Sequence, residues 1–85
     1  MLHLPDGLEI VGHKWFITND IWKVIVPSSV KILGESAFSW CVNLREVVFE
    51  PYSQLERIEK DCFYMCDLRE IVIPRSVHYI EDHAF

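Results

Sequence analysis

The sequence predicts a repeat solenoid, mostly β with some α, in which short parallel strands stack one per repeat and turns or short helical turns run on the other side. Three observations predict it. A six-residue block ending in phenylalanine recurs along the chain. An aliphatic residue stands three positions before each copy, and a pattern of apolar residues follows each of the first three. Self-similarity at a period of about 20 to 50 residues is the mark of solenoids, because one repeat cannot bury its apolar face alone but a stack can.

The blocks are Leu33–Phe38, Ile58–Phe63 and Ile80–Phe85, with a looser copy at Val11–Phe16. Their starts are separated by steps of 22, 25 and 22 residues. The preceding aliphatics are Leu8, Val30, Leu55 and Val77. The segments Ile21–Val26, Leu44–Phe49 and Leu68–Ile73 end in alternating β-branched and aromatic residues, which predicts three short strands. Pro27 and Pro74 close two of them, and proline cannot donate to a strand ladder. In the other, Glu50 precedes Pro51, and Tyr52, Ser53 and Gln54 account for most of the longer step. The Val30–Leu33 type of segment predicts a second short strand or extended edge. The Ala-Phe-x-x-Cys segment predicts a tight helical turn that drops phenylalanine into the core. Residues 1–85 then form one domain of about three and a half repeats, 8–27, 28–50, 51–74 and an incomplete 75–85.

The consensus within the chain, LxxIxIPxSVxxIGxxAFxxCxxL, resembles the BspA-type leucine-rich repeat, and Val26–Leu44 matches it best. The resemblance spans roughly residues 8 to 85. The first copy departs most, with Trp15 where Ala37 and Ala84 stand and Asn19 where Cys41 and Cys66 stand, as suits a terminal repeat. The resemblance implies that the strands line a concave binding face. It also implies attachment at a cell surface or contact with a host, roles associated with such repeats in some microbes.

Composition narrows the function further. A hydrophobic content of 51% supports a packed core rather than disorder. The formal charge of −5, with thirteen acidic and eight basic residues, argues against nucleic acid or an anionic membrane surface as partner. The N-terminus has no charged start followed by an apolar run, so as written the chain stays in the cytosol; a fragment of a surface protein is the alternative. No apolar stretch approaches the roughly 18 residues of a membrane helix. Three cysteines do not close a disulfide framework, and the Cys62-x-x-x-Cys66 spacing has no second pair to complete a zinc site. Cys41 and Cys66 share one repeat position and Cys62 takes an alanine slot, so all three are expected as core thiols. A disulfide between ladder neighbours stays conceivable.

Period two divides each strand into an inward and an outward row. Val24, Val26, Val47, Phe49, Ile71 and Ile73 are expected inside. Lys23 and Ile25, Glu46 and Val48, Glu70 and Val72 are expected outside. Ile25, Val48 and Val72 then form an exposed apolar stripe edged by Trp22, Arg45 and Arg69. This stripe is the candidate site for a protein partner; the competing reading is that β-branched residues serve strand propensity alone. His13, His78 and His83 recur with no nucleophile or carboxylate at a helpful spacing. Glu56, Glu59, Asp61, Glu81 and Asp82 fall in variable positions suited to keeping the outer side soluble. No catalytic residue, metal or cofactor is therefore expected. The leading expectation is a non-catalytic interaction module, against a fragment of a longer solenoid or adhesin without independent activity. The unfinished last repeat leaves an apolar end that could pair with a second copy as a homodimer.

Overall fold

Strands in this chain are short because proline, turn and ladder alternate within little more than twenty residues. In the computed structural model, which describes residues 1–12 and 20–85, every strand is parallel to its neighbours. They are β1 (Leu2–His3), β2 (Ile10–Val11), β3 (Lys23–Val26), β4 (Ile32–Leu33), β5 (Glu46–Phe49), β6 (Arg57–Ile58), β7 (Glu70–Ile71) and β8 (Tyr79–Ile80). The odd strands form one sheet, in the order β1-β3-β5-β7, and the even strands form a second, β2-β4-β6-β8. Each coil thus gives one strand to each sheet, which makes a β-solenoid.

The register keeps equivalent residues stacked. Val24 pairs with Val47 and Val47 with Ile71 in the first sheet; Leu33 pairs with Ile58 and Ile58 with Ile80 in the second. Strand β1 was not anticipated. Leu2-His3-Leu4-Pro5 repeats Val24-Ile25-Val26-Pro27, with Leu2 paired to Val24 and His3 to Ile25. Pro5 stands 22 residues before Pro27, so the signal was present but lay outside the phenylalanine blocks.

The third side of each coil carries the Ala-Phe-x-x-Cys segment. Among the described residues it forms turns and no α-helix, in place of the expected helical turn. The reason lies in how its amides are spent. Ser36, Phe38 and Trp40 donate to Lys60, Cys62 and Tyr64 of the following coil at 3.0, 2.9 and 2.8 Å. Ala37, Ser39 and Cys41 donate to the carbonyls of Gly34, Ser36 and Phe38, three residues back. A helix would need all of these amides to reach four residues back. Left-handed residues enforce the alternation: Ser36, Asp61 and His83 each have φ of 57°, and Trp40 and Met65 have 66° and 62°. The apparently variable positions of Asp61 and His83 therefore have a backbone job, one that polar side chains tolerate.

The core lies between the three sides. Val24, Val26 and Val47 are buried as expected, while Phe49, Ile71 and Ile73 pack against the core half-buried. Phe38 and Phe63 are buried and stack at 5.5 Å with ring planes 3° apart. Burying each contributes roughly 1.5 to 3 kcal/mol. Phe85 continues the column, 5.5 Å from Phe63, but is 52% exposed, so the expectation that it is fully core is corrected: only one of its faces is covered. The strands of the first sheet start two residues later than expected, because Leu44 is taken into the turn by its amide bond to Cys41. The last, β7, is two residues long, having a single neighbour to pair with. Trp15, Phe16, His13 and Asn19 lie outside the described residues.

Coil contact is tightest at Gly34, whose amide bonds to Val11 O at 2.8 Å; a Cβ there would lie 2.4 Å from that same oxygen. Gly34→Ala is expected to cost about 1 to 3 kcal/mol, as overpacking against unyielding backbone does. Met65→Gly, relieving a left-handed backbone at a half-exposed side chain, is expected to gain about 0.5 to 1 kcal/mol. Urea denaturation midpoints check both.

Candidate functional site

The outward row of the first sheet is the one the alternation requires. Ile25 sits between His3 and Val48 in register, and Val72 follows β7 so as to continue the row. Ile25 and Val48 are half-buried and Val72 is 77% exposed. The three residues continue one row, in which His3 precedes Ile25, and of the three only Val72 is exposed. The neighbouring row is Lys23, Glu46 and Glu70, in direct register. Lys23 Nζ lies 3.7 Å from Glu46 Oε2, a partly exposed pair. Glu70 stands opposite Glu46 and has no cation beside it among the described residues. Like charges directly opposite on a sheet destabilise it.

Trp22, Arg45 and Arg69 also stack, but through backbone. Arg45 N donates to Trp22 O and Arg69 N to Arg45 O, each at 2.9 Å. All three are exposed, and Arg69 holds Asp67 at 3.1 Å. Their parity is that of the inward row, so they flank the stripe from the strand starts rather than lie on it.

Strand period and insertion together make a concavity that the sequence reasoning missed. A groove of about 540 Å³ opens over β5 and β7, with Glu46, Val48, Glu70 and Val72 along it. Tyr52 and Ser53, which follow β5, and Pro74, Arg75 and Ser76, which follow β7, complete its lining. Four of the nine expected site residues therefore meet there; Trp22, Lys23, Ile25, Arg45 and Arg69 do not line it. Tyr52 belongs to the residues that lengthen the third repeat. It is 96% exposed at φ of 62°, a backbone conformation uncommon for a bulky residue. The signal for the groove was the longer step between the second and third blocks.

Ser76 gives the lining a second peculiarity. Its counterpart Ser29, also two residues after a proline and one before a valine, accepts from Gly7 N at 3.1 Å and donates to Leu8 O at 2.7 Å. Ser76 Oγ is buried and has no hydrogen-bond partner among the described residues. In the coil before it, Leu55 N instead bonds to Ser53 Oγ at 3.2 Å and Gln54 N to Ser28 O at 3.0 Å. The insertion has redirected the groups that would have satisfied it.

Other surfaces were weighed against this one. The second sheet presents Ile10, Ile32, Arg57 and Tyr79 in register, with the Arg57 guanidinium 5.1 Å from the Tyr79 ring centre. On the turn side, Trp40 and Tyr64 meet edge to face at 5.8 Å. A second, smaller groove of about 390 Å³ lies beside Phe63, Leu68, Ile71 and Phe85. Among the described residues, His3, Asp6 and Glu50 could hold a metal ion, their ligand atoms lying within 4.8 Å of one another on the surface. His3 and Asp6 are three residues apart, and coil stacking brings Glu50 to them.

The cysteines are free, Cys41 and Cys62 buried and Cys66 half-buried. Burial first, then the nearby Cys66 sulfur, pushes the Cys62 thiol well above its ordinary range. Burial first, then Cys41, pushes Cys66 up from 9.0 to about 12, while its Sγ–H donates to Phe38 O at 3.1 Å. Thiols held neutral are poor nucleophiles. His78 and His83 are exposed.

Fold and site together define a repeat solenoid with an exposed sheet face, a class built for presenting surface. The chain belongs to the BspA type leucine-rich repeat family: the family described as "BspA type Leucine rich repeat region (6 copies)" matches residues 1–85. Comparison with curated proteins finds no match, and comparison with solved structures finds none either.

Iodoacetamide at pH 8 is expected to label the native thiols at least about tenfold more slowly than the same thiols in urea, followed by mass spectrometry. The raised thiol values also set a sign for stability. Above pH 9.0 the unfolded thiols lose protons that the folded ones keep, so stability falls as pH rises toward 12. Cys66→Ser is expected to flatten part of that fall in urea titrations between pH 8 and 10.5.

Proposed function

We propose that this chain is a non-catalytic protein-interaction module that receives its partner on the outer face of the β1-β3-β5-β7 sheet. The observation that carries the reading is that Val48 and Val72, two of the three residues of the apolar row Ile25-Val48-Val72, line the groove over β5 and β7. An exposed apolar row on an otherwise charged surface has no folding role at Val72, which leaves 77% of its surface in water. Strand propensity accounts for the β-branched type but not for the groove beside it. Groove volume falls within the range of about 300 to 1,000 Å³ typical of binding clefts. Membership in a repeat family is in keeping with this use, since stacked repeats build extended surfaces rather than catalytic pockets.

The test is a selection of binders from a random displayed-peptide library on the folded protein, followed by titration against variants. The triple variant Ile25→Ser, Val48→Ser and Val72→Ser is expected to abolish binding of most selected peptides. Val72→Ser alone, at a site too exposed to threaten folding, is expected to weaken them by about three- to tenfold. Circular dichroism confirms that the variants fold. Peptides that bind both variants as tightly as the wild type would overturn the assignment of the face.

A further inference from the structure

We propose that the groove over β5 and β7 recognises an extended peptide segment carrying a lysine or arginine two residues from an aliphatic residue, with the cation against Glu46 and Glu70 and the aliphatic side chain against Val48 and Val72. This inference rests on the assignment of the sheet face to partner binding and adds the chemistry of the partner.

Spacing supplies the first argument. On β5 the outward residues are Glu46 and Val48, with Glu50 one residue past its end; on β7 the outward residue is Glu70, and Val72 and Pro74 continue its alternation beyond the strand. Outward positions on a strand recur about every 7 Å, and so do the side chains on one edge of an extended peptide. A peptide laid along the strands meets a carboxylate pair, then an apolar pair, one side-chain step apart. Two residues of separation on the peptide matches that step, whereas adjacent residues would point to opposite sides.

Charge supplies the second. The groove is lined by three carboxylates, Glu46, Glu50 and Glu70, against one guanidinium, that of Arg75. Glu46 shares Lys23 and Glu50 lies 3.7 Å from His3 Nε2, while Glu70 has no cation among the described residues. Two carboxylates in direct register repel each other, and a cation placed between them relieves that repulsion. The chain as a whole, at −5, draws in basic segments rather than acidic ones.

An exposed aromatic ring in the lining supplies the third. Tyr52, 96% exposed among the residues lining the groove, offers an aromatic surface that can cover the peptide's apolar side chain.

The experiment uses the full chain, labelled with nitrogen-15, and four synthetic peptides followed by amide chemical shifts. The probe is acetyl-Gly-Thr-Lys-Thr-Val-Thr-Gly-amide. The controls replace its lysine by glutamate, replace its valine by serine, or place lysine and valine side by side. The probe is expected to shift amides between residues 46 and 53 and between 70 and 76. Each control is expected to bind about fivefold more weakly or worse, and Glu70→Gln to weaken the probe by about threefold. Raising salt from 50 to 500 mM is expected to weaken the probe but not the glutamate control, which has no cation to be screened from the carboxylates. If the glutamate peptide binds as well as the probe and Val72→Ser still weakens both, the charge inference is overturned while the face assignment stands. If shifts fall on the second sheet, both are overturned. If no peptide binds at millimolar concentration, or the groove is occupied by a second copy in a dimer broken by Val72→Ser, the peptide inference is overturned.

Discussion

Everything in this molecule depends on one constraint: each coil must stack on the next with equivalent residues in register. The parallel ladders of the two sheets and the alternate amides of the turn side all run between coils. Strands paired at about 4.8 Å leave no room for the repeat to drift, so a residue type chosen at one position becomes a column. The phenylalanine column of Phe38, Phe63 and Phe85 is the inward consequence. Rows such as His3-Ile25-Val48 are the outward one.

A perfectly regular stack would present a uniform ridge on every side. The longer third repeat breaks that regularity. Its extra residues put Tyr52 on an exposed left-handed backbone, divert Ser53 to the amide of Leu55, and leave Ser76 without the bridge that Ser29 makes. The cost falls at one place, and the same place has the groove. Strained or unsatisfied groups that a protein keeps beside a cavity point to use rather than accident. The turn side illustrates the converse: Ser36, Asp61 and His83, at the same position of three successive coils, are all left-handed, so their strain belongs to the architecture and marks no site.

Much of this was legible beforehand because a repeat states its own alignment. The inward rows, the second short strand at Ile32–Leu33 and the outward stripe all follow from period two applied to aligned copies. The family resemblance rested on the same columns. What escaped was of two kinds. Strand β1 was hidden because Leu2–Leu4 is too short to show alternation without its partner Val24–Val26. The helical turn was expected from Ala-Phe-x-x-Cys because nothing in that spacing reveals that alternate amides leave for the next coil. The groove was missed for a related reason: Tyr52, Ser53 and Gln54 registered as an interruption of the repeat, and interruptions carry no period from which a surface can be read. The cluster of His3, Asp6 and Glu50 is completed only by stacking.

The central claim is that partners bind where the regular outward row meets the irregular insertion. The most direct test maps amide chemical shifts of the labelled protein on titration with whichever ligand a selection returns. The account predicts that the largest changes cluster at Glu46–Ser53 and at residues 70–76, fading along the row toward Ile25. Changes centred on Ile10, Ile32 and Tyr79, or on the Trp40–Tyr64 side, would contradict it.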